Sequence, residues 1–202
     1  MTLADLVDSF PQLKVAAGAT VEPEELASVS LIVVQEGLVV VRTMVPGSTR
    51  RTITCHAGPG ALVLPPADDE VLAALTDAML VTISPDARDR LTESPDAARL
   101  LVDGLAETLR QKHGAIASMS RLHHVDRVRE KLIELAREHG RVGRDGIRLD
   151  FPLTHDLLGE MTGSARETVT RALDELQREG FVVRRGRTYS LQLEPGQLAS
   201  SS

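Results

Sequence analysis

Thr154-His155-Asp156-Leu157-Leu158-Gly159-Glu160-Met161-Thr162-Gly163-Ser164-Ala165-Arg166-Glu167-Thr168-Val169-Thr170-Arg171-Ala172-Leu173 is the stretch on which the reading of this chain turns. Thr154 is a helix cap, and a short helix is expected from there to Met161 or Thr162. Gly163 ends it and supplies a tight turn. Ser164 then reads as the cap of a second helix, with Glu167 three residues on completing a capping box. That helix is predicted from Ala165 to about Glu179, with Val169, Leu173 and Leu176 facing inward. Two helices joined by a glycine turn, with polar and basic groups on the second, form a helix-turn-helix. Gly180 stops the second helix. Residues 181–191 follow as a hairpin with a basic tip (Arg184, Arg185, Arg187), the shape of a wing.

These residue types at this spacing suit duplex DNA. A helix fits the major groove, where arginine bonds guanine O6 and N7 together and glutamate accepts from the cytosine N4 amine. Arg166, Glu167 and, one turn on, Arg171 can reach neighbouring base pairs. Thr154, Ser164, Thr168, Thr170, Arg185 and Arg187 are expected to contact phosphates or support the readers. The alternative for Glu167 is capping alone. For Arg166 and Arg171 it is a solvated face paired with Glu167, Asp174 or Glu175.

Upstream, a helix is predicted from Val125 to His139, ended by Gly140, Gly143 and Gly146, then a short strand over 147–151 closed by Pro152. From Pro95, with Ser94 as cap, a long helix carries Ala98, Val102, Leu105, Leu109, Lys112, Ile116 and Met119 in alternating steps of four and three. That is a coiled-coil seam with Lys112 out of place. Packing of the stripe on the helix's own domain is the competing reading. Val102, Leu105, Leu109, Ile116 and Met119 are the candidate dimer contacts. Residues 12–83 break into short apolar runs between turns: 31–34 and 38–41 around Glu36-Gly37, 51–56, 61–64, and two runs within 71–83. This spacing suggests an antiparallel sandwich or barrel. The expected fold class is α+β: an N-terminal antiparallel β-roll over 1–94, a dimerisation helix over 95–122, a winged helix-turn-helix over 123–194 and a flexible tail over 195–202.

The chain has 202 residues and a net charge of -6. Residues 1–95 hold 13 acidic and 6 basic side chains, and residues 96–202 hold 16 and 17, so the acidity lies in the first half. Local arginine clusters matter more to a phosphate backbone than the overall sum. No apolar run approaches the roughly 20 residues of a membrane span. No secretory signal is read at the N-terminus, and Cys55 cannot form an internal disulfide, so a reducing cytoplasm is expected. A lone cysteine cannot hold an iron–sulfur cluster. Residues 1–95 contain one histidine, His56, and the histidines at 113, 123, 124 and 139 show no ligand spacing, so neither a metal nor any other cofactor is expected. No phosphate loop or nucleophile elbow marks an enzyme.

Residues 153–191 resemble the CRP/FNR family of bacterial transcription regulators, most sharply in Gly163-Ser164-Ala165-Arg166-Glu167-Thr168-Val169-Thr170-Arg171-Ala172-Leu173 followed by Leu176 and Gly180. The resemblance implies base reading by Arg166, Glu167 and Arg171, a roll like a cyclic-nucleotide-binding domain, and homodimerisation through the long helix. Two departures stand out. His155 and Asp156 replace the Arg and Gln frequent after the capping threonine. The stretch Gly60 to Val71, matching the family's phosphate cassette, has no arginine and carries Asp68-Asp69-Glu70, which would repel a cyclic phosphate. The expected function is a homodimeric, sequence-specific DNA-binding regulator on a palindromic operator, not controlled by cyclic AMP through the usual site. A protein-interaction adaptor whose winged helix no longer reads DNA is the alternative. RNA polymerase is the further partner that activation would require. Any small-molecule effector is unspecified by these residues.

Overall fold

In the computed structural model the described residues are 10–44, 47, 51–119, 123–143, 146–186 and 188–193; the side chains of 118, 119 and 185 lie outside that description. The chain divides into two compact units, Met1–Ala115 and Ile116–Ser202.

In the first unit, β1 (Gln12–Val15), β3 (Leu31–Glu36), β6 (Leu62–Val63) and β8 (Ala78–Ile83) form one antiparallel sheet in the order β1-β8-β3-β6. Strands β2 (Thr20–Val21), β4 (Val39–Met44), β5 (Arg51–Ala57) and β7 (Glu70–Ala74) form the other in the order β2-β7-β4-β5. Alternation along β3 explains its unbroken apolar run. Ile32 and Val34 join a core with Val39, Val41, Leu72 and Leu80, while Leu31 and Val33 join a second core with Val81, Ile83, Ala87 and Leu101. A strand buried on both faces needs apolar residues at every position.

The second core brings in two helices, α1 (Pro85–Thr92) and α2 (Pro95–Met119). Helix α1 is absent from the sequence reading. Its cap is nonetheless written there: Ser84 Oγ accepts from the Ala87 amide at 3.3 Å, and Pro85 opens the first turn. Its sequence offers almost no apolar periodicity, because Ala87 is its one fully buried side chain.

Helix α2 carries two stripes, not one. Ala97, Leu101, Thr108 and Ala115 are buried. Thr108 Oγ1 donates to the Leu62 carbonyl at 2.7 Å, and the Cys55 thiol donates to Gln111 Oε1 at 3.5 Å, so this face packs on the roll. Val102, Leu105, Leu109 and Ile116 stand 37–65% exposed. At roughly 100° per residue the stripes lie side by side, about a quarter turn apart. Lys112 falls on the border between them. Its Nζ sits 3.7 Å from Glu70 Oε1, which accounts for the break in the heptad pattern. Met119 Cα continues the helix, and its side chain is outside the described residues.

In the second unit, α3 (His124–His139) leads through β9 (Gly140–Gly143) and β10 (Gly146–Leu149) to α4 (His155–Thr162), α5 (Arg166–Arg178), β11 (Val182–Arg185) and β12 (Thr188–Leu191). The sheet order is β11-β12-β10-β9. Val128, Leu132 and Leu135 of α3 pack with Leu158 and Met161 of α4 and Val169, Leu173 and Leu176 of α5, all almost fully buried. The glycines at 140, 143 and 146 do more than end α3: they bound a hairpin strand, β9, paired with β10. Among the described residues no helix is long and apolar enough to cross a membrane.

Candidate nucleic-acid interface

The two helices of the motif are set by their ends. Thr154 Oγ1 accepts from the Leu157 amide at 3.1 Å and starts α4. Gly163 ends it in the left-handed conformation, φ 63° and ψ 26°, which favours glycine. The Gly159 carbonyl accepts from the amides of both Gly163 and Ser164 and closes the turn. Gly159 is required for a second reason. A Cβ there would lie 2.7 Å from the Ser164 carbonyl oxygen, so only hydrogen lets the entry to α5 approach α4.

The start of α5 differs from the expected one. Ala165, not Ser164, is the N-cap residue; no side chain caps the helix, and the Ser164–Glu167 capping box does not form. Ser164 is buried, and its hydroxyl turns inward to the Thr162 carbonyl at 3.4 Å and to His124 Nδ1 at 3.4 Å. The chain spends this serine on the interhelical turn, one residue before the helix frame begins. Its hydroxyl is turned away from solvent, in place of the expected phosphate contact.

Glu167, freed from capping, is exposed on the first turn of α5 with Arg166, and Arg171 is exposed one turn on. Val169, Ala172, Leu173 and Leu176 fill the opposite face. The three sequence-predicted readers therefore share the solvent side of one rigid helix. Arg166 Nη1 is 3.7 Å from Asp156 Oδ2, with both side chains about two-thirds exposed, a loose pair that a stronger acceptor can displace. Thr168 and Thr170 are half-buried. Thr170 Oγ1 donates to the Arg166 carbonyl at 3.0 Å, a supporting position.

On the wing, Arg184 is exposed, donates through Nε to the Gly186 carbonyl at 3.0 Å, and lies 5.9 Å from the Tyr189 ring centroid. The Arg185 side chain and Arg187 lie outside the described residues, so their expected phosphate contacts are not placed. Nothing in the sequence pattern marks Tyr189, and His155 stands out there only as a departure from the family's usual residue. His155 bridges Thr170 Oγ1 (2.8 Å from Nδ1) and the Tyr189 hydroxyl (3.2 Å from Nε2). Burial holds the His155 pKa below the ordinary value, helped by Arg184 and Arg166 and opposed by Asp174 and Asp156. Burial also raises the Tyr189 hydroxyl, so it stays a proton donor.

In the first unit, Glu70 of the acidic stretch 68–70 accepts from Thr43 Oγ1 at 3.3 Å and from the Ala67 amide at 3.2 Å, besides pairing with Lys112. Nearby, Cys55, His56, Leu62, Thr108 and Gln111 line a cavity of about 100 Å³. Among the described residues no arginine lines it.

Residues 126–199 match the family described as the Crp-like helix-turn-helix domain. The global nitrogen regulator of Synechocystis sp. is 37% identical over 93 residues, 46% of this chain and 41% of that protein. The CRP-like cAMP-activated global transcriptional regulator of Mycobacterium tuberculosis is 26% identical over 115 residues, 56% of this chain and 51% of that protein. The chain thus spans about half or less of the length of these curated relatives. A solved CRP-family transcriptional regulator of Thermus thermophilus is 25% identical, with 92% of this chain and 94% of that one covered at a TM-score of 0.74. Its match runs through the β-roll, the long helix and the winged helix alike. Residues 126–199 are a Crp-like helix-turn-helix domain, and the chain that carries them has the fold of the CRP/FNR family of transcription regulators.

Proposed function

We propose that this chain regulates transcription as a homodimer that binds a palindromic DNA site in the cytoplasm, without catalytic activity and without control by cyclic AMP at the family's usual site. The observation that carries the reading is the exposed face of α5. Arg166, Glu167 and Arg171 stand together there on a helix whose other face is locked into a core, after a glycine turn of fixed geometry. An arginine aimed at guanine and a carboxylate aimed at cytosine read a major groove. Thr154, Thr168, Thr170 and the wing arginines, Arg184 with Arg185 and Arg187, serve as phosphate contacts or supports, which fix register without reading sequence.

The exposed stripe Val102, Leu105, Leu109 and Ile116, continued by Met119, is the dimer seam. It would set the two α5 helices about one DNA turn, roughly 34 Å, apart. Control by cyclic AMP is disfavoured by chemistry. The acidic stretch at 68–70 repels phosphate, and the cavity beside α2 is well below the roughly 300 Å³ at which small-molecule pockets begin.

Selection of binding sites from random duplex DNA tests the reading. The expected product is an inverted repeat with G·C pairs in each half. Arg166→Ala and Arg171→Ala should each lower discrimination at one base pair by about 1–3 kcal/mol, the worth of a bidentate contact. Failure of well-folded protein to enrich any sequence would remove the central claim.

A further inference from the structure

His155 is the first residue of α4, yet its two ring nitrogens bond two other elements. Nδ1 meets Thr170 of α5 at 2.8 Å and Nε2 meets Tyr189 of β12 at 3.2 Å. The direction of these bonds follows from proton counting. Thr170 has one hydroxyl proton, and it goes to the Arg166 carbonyl at 3.0 Å, an acceptor with nothing to give. The lone pair of Thr170 Oγ1 therefore faces Nδ1, and Nδ1 carries a hydrogen. In the neutral ring Nε2 is then an acceptor, and the Tyr189 hydroxyl donates to it. The chain of bonds runs in one sense: Tyr189 O–H to Nε2, Nδ1–H to Thr170, Thr170 O–H to the Arg166 carbonyl. It begins in the wing and ends on the backbone of the first base-facing residue.

Burial favours that neutral state first, and the charges around the ring add to it. Arg184 reaches it from the wing and Arg166 from α5, while Asp174 of α5 and Asp156 of α4 oppose them more weakly. Arg184 also lies against the Tyr189 ring. Protonation would put a hydrogen on Nε2 and turn the Tyr189 hydroxyl round to accept it, so the bonds would no longer run in one sense from the wing to α5.

We propose that His155 is a positioning residue that couples the wing to the reading helix, and that it does so as the neutral Nδ1–H tautomer, fixing how Arg166 and Arg171 meet the bases. The proposal rests on the DNA-reading function above. It assigns His155 no phosphate of its own, because both ring nitrogens are committed within the domain.

Two measurements on the full chain test it. The first needs no DNA. Long-range ¹H–¹⁵N correlation spectra should show the neutral His155 ring as the Nδ1–H tautomer, titrating below an ordinary histidine, and Tyr189→Phe should move the Nε2 resonance of that neutral ring by removing the hydroxyl bonded to it. An Nε2–H tautomer, or an Nε2 resonance unmoved by Tyr189→Phe, overturns the coupling. The second compares binding to the selected duplex and to duplexes changed at the base pairs assigned to Arg166 and Arg171. Tyr189→Phe and Thr170→Val should each reduce discrimination about three- to tenfold, the net worth of a hydrogen bond. The double variant should lose little more than the larger single, since both cut one chain of bonds. The salt slope of Tyr189→Phe should match the wild type.

The opposite result is a His155→Ala variant that weakens binding to all duplexes alike and lowers the salt slope by about one, which would make His155 a phosphate contact. If the wild type selects no duplex at all, the DNA-reading function falls, and with it the base-positioning role. The spectra then still decide whether the wing and α5 are coupled.

Discussion

Replacing Leu109 by glutamate should turn the chain into a monomer. The four seam residues Val102, Leu105, Leu109 and Ile116 are 63, 37, 55 and 65% exposed, so together they leave about two whole side chains of apolar surface per protomer. At about 1.5–3 kcal/mol for each fully buried side chain, pairing two seams contributes on the order of 6–12 kcal/mol. Association costs about 4–15 kcal/mol in lost motion. The seam alone is therefore near balance, and one residue can decide it. Leu109→Ala gives up about 1 kcal/mol in each protomer, or about 2 kcal/mol in a twofold dimer, close to a 30-fold rise in Kd. Leu109→Glu loses the same area and also asks a carboxylate to leave water beside the copy of itself that the symmetry supplies, at several kcal/mol more. Asp103→Ala, on the exposed face away from the seam, is the control and should change nothing. Sedimentation equilibrium over a wide concentration range reads all three. If Leu109→Glu sediments as the wild type does, the stripe is not the dimer interface.

Three further outcomes follow from the same geometry. Gly159→Ala should lower stability by about 1–3 kcal/mol, because its Cβ meets the Ser164 carbonyl at 2.7 Å and the backbone must part. Thermal unfolding followed at the Tyr189 environment would register the loss, and an unchanged midpoint would show that the turn can yield freely. The pH dependence has a definite sign. The His155 pKa lies below its ordinary 6.5 in the folded chain, so the unfolded chain takes up the proton first. Its effect is absent above pH 6.5, and stability falls as the pH drops from there towards the lower folded value. Urea titrations should show a shallower acid loss in His155→Gln than in the wild type; parallel curves would contradict the shift. Titration calorimetry with cyclic AMP should give no heat of tight binding. Tight binding would mean that groups outside the 60–71 stretch replace the missing arginine.

Much of this architecture is legible in the sequence because burial repeats with a period. Strands β3 and β8 are buried on both faces and read as apolar runs, and α5 shows its inward face at Val169, Leu173 and Leu176. The elements that escape reading lack that repeat. Helix α1 buries only Ala87, and β9 is an edge strand of two glycines, an exposed arginine and an exposed valine. The Ser164–Glu167 pair fits a capping box by spacing, but spacing cannot tell which residue the turn will consume. Gly159 draws Ser164 into the interhelical turn, and the helix frame starts one residue later. His155 is visible in the sequence only as an odd residue after a cap. Its two partners are 15 and 34 residues away, a relation that only the folded domain brings together.

The exposed stripe of α2 shows how one apolar period can conceal half of a helix. Steps of four and three along α2 locate one apolar stripe, and Lys112 reads as its single flaw. The structure supplies a second stripe, Ala97, Leu101, Thr108 and Ala115, in which Leu101 is the one large apolar side chain, so the stripe does not stand out as a repeat. A short side chain suits position 108, because the helix lies close enough to β6 for Thr108 Oγ1 to donate to the Leu62 carbonyl. Lys112 then ceases to be a flaw. It stands where the two stripes meet and reaches Glu70, the acid that departs from a phosphate-binding cassette. The cation that an anionic ligand would want is thus already paired with the roll's own carboxylate. The same ion pair accounts for the break in the heptad and adds to the case against a cyclic phosphate, and neither consequence is visible from residues 95–119 or 60–71 read alone.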